Sequence, residues 1–302
     1  MYKENGFFRI TRRVFEPLLL YYGVYVVSLF LLSGLLQILA GAPGVEGVEN
    51  GGRVASDIGK LLEEHRESVT GIVNSIGMLI GTVFLLPMLR MELQMRIQSC
   101  QKDERAVSAA IRGRLRGWQG IIILLLTVVS AVSSSVGLNI LMSLTGLVQT
   151  STAYQGVAQR QYGVAFGVGL LLYTVVSPLA EEIVFRGVIY NRLRHGALER
   201  GATGQGQAAA IVVSGLLFGV YHGNLVQGIY GCCMGILMAY LYEETQAFCI
   251  PVLFHASANC VVYLMAQNAL LQERMLTVPW CVALTAVTIA AAMIIRRLHY
   301  DE

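Results

Sequence analysis

Long apolar runs alternate with short polar intervals along the whole chain, and several of the runs approach or exceed the roughly 20 residues that a helix needs to cross a bilayer. The pattern predicts an all-α fold, a polytopic transmembrane bundle of about eight spans. They are expected at about 17–40, 69–89, 120–147, from near 163 onward, 208–222, 225–242, 248–266 and 278–295. Between the first two spans the chain is Gly-rich and then acidic, with Ala55 to Glu67 expected as a short surface helix. The stretch from Arg90 to Trp118 is expected as a basic loop with a solvated helix, and Gln149 to Tyr162 as a polar loop. Arg186, Arg192, Arg194 and Arg200 mark a further loop, ending in the glycine-rich Gly201 to Gln207.

Composition agrees with the pattern. The 302 residues are 55% hydrophobic and 14% charged, with a mean hydropathy of +0.60, outside the range of an ordinary soluble domain. The net charge of +3 calls for no nucleic acid, because the basic residues cluster beside the spans. By the positive-inside rule Lys3, Arg9, Arg12 and Arg13 place the N-terminus in the cytoplasm, and Arg296 and Arg297 place the C-terminus there too. No cleavable signal peptide is expected, since Met1 to Arg13 is charged and a full-length span follows. No internal repeat is evident, and residues 1–302 read as one integral membrane domain.

The six cysteines include no CxxC pair, so a disulfide framework or thiolate zinc site is not expected. They read as small packing residues in helix interfaces. Gly231 and Gly235 form a GxxxG, read as close intramolecular helix packing.

One stretch does not suit a span. Ser177 to Asn191, SPLAEEIVFRGVIYN, carries adjacent carboxylates at Glu181 and Glu182. A charge at a helix centre in the bilayer costs roughly 2.5–3.5 kcal/mol even on lenient insertion scales. Glu182 and Arg186 are i,i+4 and can pair on one face. Glu181 lies about 100° away around the helix, free to take up a proton as a general base. Of five histidines, His65, His195 and His299 lie in or beside loops and read as surface residues. His222 and His255 lie in apolar spans, and alone either is an ordinary interhelical hydrogen bonder. Together with two glutamates and Asn259, i,i+4 from His255, they form a set for peptide hydrolysis. A glutamate and a histidine can deprotonate water, while a histidine and an asparagine can donate to the resulting oxyanion.

EExxxR at Glu181, Glu182 and Arg186, FxxxH at Phe218 and His222, and HxxxN at His255 and Asn259 occur in that order. In these motifs and in its eight-span layout the chain resembles the CAAX protease and bacteriocin-processing family of intramembrane endopeptidases. One relative of that family, the eukaryotic type II prenyl-protein endopeptidase, removes the last three residues of prenylated proteins. The resemblance implies a catalytic core over residues 163–268, with a buried polar site between spans four, five and seven. It implies that Glu181 and His222 activate water, that Glu182 with Arg186 supports them, and that His255 with Asn259 forms the oxyanion hole. No cofactor is required in that mechanism. Members are also described as metalloproteases, and Glu181, Glu182, His222 and His255 could in principle bind zinc. The chain has no HExxH, and Arg186 competes for Glu182, so glutamate-activated water is favoured. The implied substrate is a peptide or protein with a membrane-associated segment. In a bacterial plasma membrane this means peptide pheromones, bacteriocin precursors or membrane-protein tails.

Two other classes compete. One is a non-catalytic immunity or scaffold protein in which the polar cluster stabilises the bundle; the other is a proton-coupled carrier with Glu181 as relay. Lack of an inverted repeat weighs against the carrier, and the full Glu-Glu-His-His-Asn set against an inert scaffold. Residue counting also places Glu181 near one end of its span and His222 at the far end of the next. The motifs meet only if span four stays helical beyond Arg186, or if spans tilt or break, for which Pro178 offers a kink.

Overall fold

The computed structural model describes residues 6–40, 51–100, 115, 117–199, 201, 204–268 and 274–300. Lys3, Glu46, Glu49, Lys102, Asp103, Glu104, Arg105, Arg112, Arg114, Arg116 and Arg200 lie outside them, as do the side chains of Arg9, Arg53, Asp57, Cys100 and His299. Among the described residues there is no strand. The helices are α1 (Gly6–Leu39), α2 (Gly51–Glu64), α3 (Arg66–Cys100), α4 (Gly117–Leu144) and α5 (Thr152–Tyr162). They continue with α6 (Phe166–Leu198), α7 (Gly204–Tyr221), α8 (Leu225–Thr245), α9 (Cys249–Ala266) and α10 (Val278–Tyr300). Eight of these ten, all but α2 and α5, are long and apolar enough to cross a membrane. A helix satisfies its backbone groups internally, as a lipid environment demands.

The bundle exposes large apolar side chains and buries charged ones within an apolar core. Leu19, Phe30, Ile38, Val220, Val282 and Ile289 are exposed, while Glu92, Arg96, Glu182, Arg186 and Asn191 are buried. α1 packs on α3, α4 on α9 and α10, and α7 on α8. In the α7–α8 interface the Gly231/Gly235 pair meets Gly219 and Gly215, so the GxxxG serves packing inside one chain. A Cβ on Gly235 would sit 2.9 Å from Gly215 Cα and 3.1 Å from Arg186 Nη2. Gly235→Ala is therefore expected to destabilise the bundle by about 1–3 kcal/mol, the usual range for overpacking. A drop in thermal unfolding temperature in detergent checks this, and an unchanged midpoint would show that the two helices can part without loss.

Several expectations need correction. Gln149 to Tyr162 is mostly helix: Ser151 caps α5 by accepting from Tyr154 N–H at 3.2 Å, and a one-turn helix at Leu147–Thr150 precedes it. Arg186, Arg192 and Arg194 are not loop residues; all three are buried in α6. Arg90 to Cys100 is helical as expected, the end of α3, with Met91, Gln94, Met95, Ile97 and Gln98 exposed, but Glu92 and Arg96 on its other face are buried and not solvated. The reason is a network of distant charges. Arg192 pairs with Glu92 and Glu16, Arg194 with Glu243, and Arg96 with Glu243 and Asn191. His195 joins it, its Nδ1 lying 3.0 Å from Glu92, and is no surface residue, whereas His65 is exposed as expected. Among the cysteines, Cys232 and Cys281 do sit against neighbouring helices, contacting the carbonyls of Leu216 and Gly137, but Cys233 and Cys249 are exposed.

α6 positions the site. Its 33 residues would span about 50 Å at 1.5 Å per residue, so it stays helical well past Arg186. Pro178 has no N–H to give and does not break it. Instead the turns on either side widen to π-helix, at Leu172–Val176 and Ile183–Tyr190, with Ser177 N–H donating to Leu172 O. Such widened turns recur where a helix carries functional side chains.

Candidate active site

Glu181 and Glu182 stand midway along α6 and face different environments. Glu182 is 0% exposed and accepts from Arg186 Nη1 at 2.9 Å, the i,i+4 pair that the spacing foretold. Arg186 Nη2 donates to Gly235 O at 3.0 Å, and its guanidinium lies 4.5 Å from the centre of the Phe218 ring. Phe218 thus ties the FxxxH motif to EExxxR. Glu181 instead faces a cavity of about 460 Å³ and accepts from Ser177 Oγ at 2.6 Å.

α9 brings His255 across both carboxylates. Its Nδ1 is 2.9 Å from Glu182 Oε1, and its Nε2 is 3.8 Å from Glu181 Oε2. A carboxylate engaged with Arg186 can only accept, so His255 Nδ1 carries the donating proton and Nε2 is left to the cavity. One turn on, Asn259 donates one amide N–H to Tyr173 O at 2.9 Å, which leaves its second N–H. His222 follows the last residue of α7. Gly223, at φ 70°, turns the chain there, and Asn224 caps α8 by accepting from Gln227 N–H. His222 Nδ1 donates to its own helix at Phe218 O, 2.9 Å away, so Nε2 is its remaining ring nitrogen. His222 makes no ion pair with either glutamate.

The same cavity is thus lined by Glu181, His222, His255 and Asn259, with Glu182 and Arg186 buried behind it. The depth mismatch disappears because α6 carries the glutamates to mid-helix. The remaining wall mixes aliphatic, methionine and carboxamide groups with phenols, among them Tyr22, Tyr25, Tyr154, Tyr162, Tyr173 and Tyr221. Burial pushes the phenols of Tyr154 and Tyr162 on α5 above their ordinary value, so both remain neutral donors.

Sequence reasoning gave Ser177 no role, although it sits i−4 from Glu181 and that spacing could have shown the contact. It also missed α5, whose Tyr154, Val157, Ala158, Gln161 and Tyr162 line the cavity. For a metal ion the donors do not converge: among the described residues no group of three or more His, Cys, Asp or Glu side chains is placed to hold one. Glu182 is committed to Arg186, and His255 Nδ1 to Glu182.

Comparison with known proteins points to the same stretch. Residues 163–261 match the family described as type II CAAX prenyl endopeptidase Rce1-like. The chain is 27% identical over 150 residues to a Bacillus subtilis (strain 168) protein named "Putative membrane peptidase YdiL". That match covers 43% of this chain and 58% of the relative, so the chain spans little more than half the length of the curated relative it matches. No solved structure matches it. All three motifs fall inside residues 163–261, so the stretch that is similar to this family is the one that carries the glutamates, both cavity histidines and the asparagine.

Proposed function

We propose that the protein is a membrane-embedded endopeptidase that cleaves peptides or protein tails near the bilayer by activated water, with residues 163–268 as its catalytic core. The observation that carries this reading is the shared cavity: one carboxylate not engaged by Arg186, two imidazoles and a carboxamide face the same space. Glu181, freed from Arg186, takes a proton from a water held against His222 Nε2. The resulting hydroxide attacks the peptide carbonyl carbon. The second N–H of Asn259 donates to the oxyanion, and His255 donates to it through Nε2 when its ring carries both protons. Glu181 then passes its proton to the departing amine as the C–N bond breaks, which leaves an acid and an amine with no covalent enzyme intermediate.

Glu182 and Arg186 act by positioning, since Glu182 holds the His255 ring through Nδ1. Ser177 does the same for Glu181. Ser177→Ala removes one hydrogen bond to a charged group, worth about 1.5–3 kcal/mol. It is expected to lower kcat by roughly tenfold or more, with KM unchanged, and Ser177→Thr to recover much of the loss. A fall confined to KM would assign Ser177 to substrate binding instead.

The reading is tested by comparing peptide termini, by mass spectrometry of membrane and secreted fractions, between cells with wild type and cells with Glu181→Gln at equal expression. Termini that vanish in the variant identify the substrate. Identical sets of termini, with any phenotype intact, would leave the polar cluster as a scaffold or binding feature.

A further inference from the structure

Eight helices that each cross the bilayer once alternate in direction by chain order. In agreement, the start of α6 meets the start of α3 at Ser68 and the end of α9 at Tyr263, and its far end meets the start of α1 through Arg13 and Glu199. α5, the start of α6, the α7–α8 turn and the end of α9 lie on one face; the start of α1 and the end of α10 lie on the other. The cavity belongs to the α5 face. It is roofed by Tyr154 and Tyr162 of α5, walled by Gln227 and Tyr230 in the first two turns of α8, and reaches its floor at Glu181 and His255. A second cavity of about 420 Å³ shares Asn139, Tyr154, Tyr162 and Val262 with the first and extends beneath the same face.

Towards the chain ends a separate cavity of about 270 Å³, lined by Arg12, Glu16, Glu92, Arg192 and His195 among others, shares no residue with the one at Glu181. Below Glu181 come Glu182 and Arg186, both 0% exposed, then buried Asn191 and Arg96, with Arg96 paired to the partly buried Glu243. Peptide and water therefore have no comparable route from that side.

Charge gives the faces their compartments. Of the 22 Lys and Arg residues, only Arg53, Lys60, Arg66, Arg160 and Arg274 fall on the α5 face by chain order. The excess borders the face of the chain ends, which the positive-inside rule assigns to the cytoplasm.

We infer that the cavity is entered from the extracytoplasmic face beneath α5, so that its substrates present their cleavage site on that side of the membrane. This rests on the endopeptidase reading for the word substrate, and on geometry and charge alone for the direction of entry. Apart from Glu181 and the two histidines the wall offers phenols, carboxamides, methionines and aliphatic groups. It fits an uncharged, partly aromatic or aliphatic peptide segment lying at the outer membrane–water boundary. A cytoplasmic tail, prenylated or not, would have to pass the Glu182, Arg186, Asn191 and Arg96 side chains that lie between that face and Glu181.

The test uses the full chain with its six cysteines replaced, and single cysteines introduced as Ser177→Cys, Gln155→Cys and Arg297→Cys. Spheroplasts and inside-out vesicles are treated with a charged, membrane-impermeant methanethiosulfonate. Gln155→Cys on α5 and Ser177→Cys at the cavity floor are expected to label fully in spheroplasts, and Arg297→Cys only in inside-out vesicles. Ser177→Cys that labels only in inside-out vesicles overturns the direction of entry, and labelling from neither side overturns an aqueous entrance. Labelling of Arg297→Cys in spheroplasts overturns the orientation. None of these readouts requires cleavage, so they stand apart from success or failure of the peptidase reading.

Discussion

Glu181→Gln is expected to lower kcat for cleavage of the identified peptide by about 10³-fold, within the range that a positioned general base supplies, while leaving the fold intact. The carboxamide matches the carboxylate in size, and its oxygen can still accept from Ser177 Oγ, so the hydrogen bond at that side of the cavity persists. Only the capacity to take a proton is lost. The measurement is single-turnover cleavage by protein reconstituted in liposomes, paired with thermal unfolding of the same preparations. Unfolding midpoints should agree while rates diverge. Cleavage within a few-fold of wild type would remove Glu181 from the chemistry. A low rate accompanied by a lowered midpoint would mean that Glu181 holds the bundle together.

The fold was readable because hydrophobic run length is a strong signal and acts locally: all eight spans were found, each close to its observed position. α5 was misread for a related reason. Its polarity suggested a loop, yet Tyr154, Val157, Ala158, Gln161 and Tyr162 follow the i, i+3, i+4, i+7, i+8 spacing of one helix face, and Ser151 supplies a cap. The signal was present but masked by composition. The Glu182–Arg186 pair was legible because i,i+4 neighbours meet by helix geometry alone. His255 bridging both glutamates was not, because helical spacing cannot report which side of α6 a helix more than 70 residues away in sequence will face. The buried network of Arg192, Arg194 and Arg96 failed for the same reason. Its acids, Glu16, Glu92 and Glu243, come from three other helices, and a basic cluster met without them reads as a topology signal.

Arg186→Leu is expected to be the most destabilising single change near the site, by about 3–5 kcal/mol, because it leaves Glu182 as a buried carboxylate that keeps only the His255 Nδ1–H as a partner. Glu182→Leu should cost a similar amount by orphaning Arg186. The double variant Glu182→Leu/Arg186→Leu is expected to lie much nearer wild type than either single one, since a buried ion pair offsets its desolvation only in part and a matched apolar pair carries no such penalty. The pair here is not fully satisfied: Glu182 Oε2 and Arg186 Nε are buried without a hydrogen-bond partner. What the double variant loses in stability should come from the contacts of Arg186 with Gly235 O and the Phe218 ring. Its activity should not return with its stability, because His255 Nδ1–H then has no acceptor and the ring is no longer held with Nε2 towards Glu181. Thermal unfolding of all four proteins in one detergent gives the coupling, and their cleavage rates give the role. If the single-variant losses simply add in the double, the ion pair does not hold the bundle. A double variant that cleaves at the wild-type rate would show that His255 finds its orientation without Glu182, and would confine the chemistry to the four groups on the cavity wall.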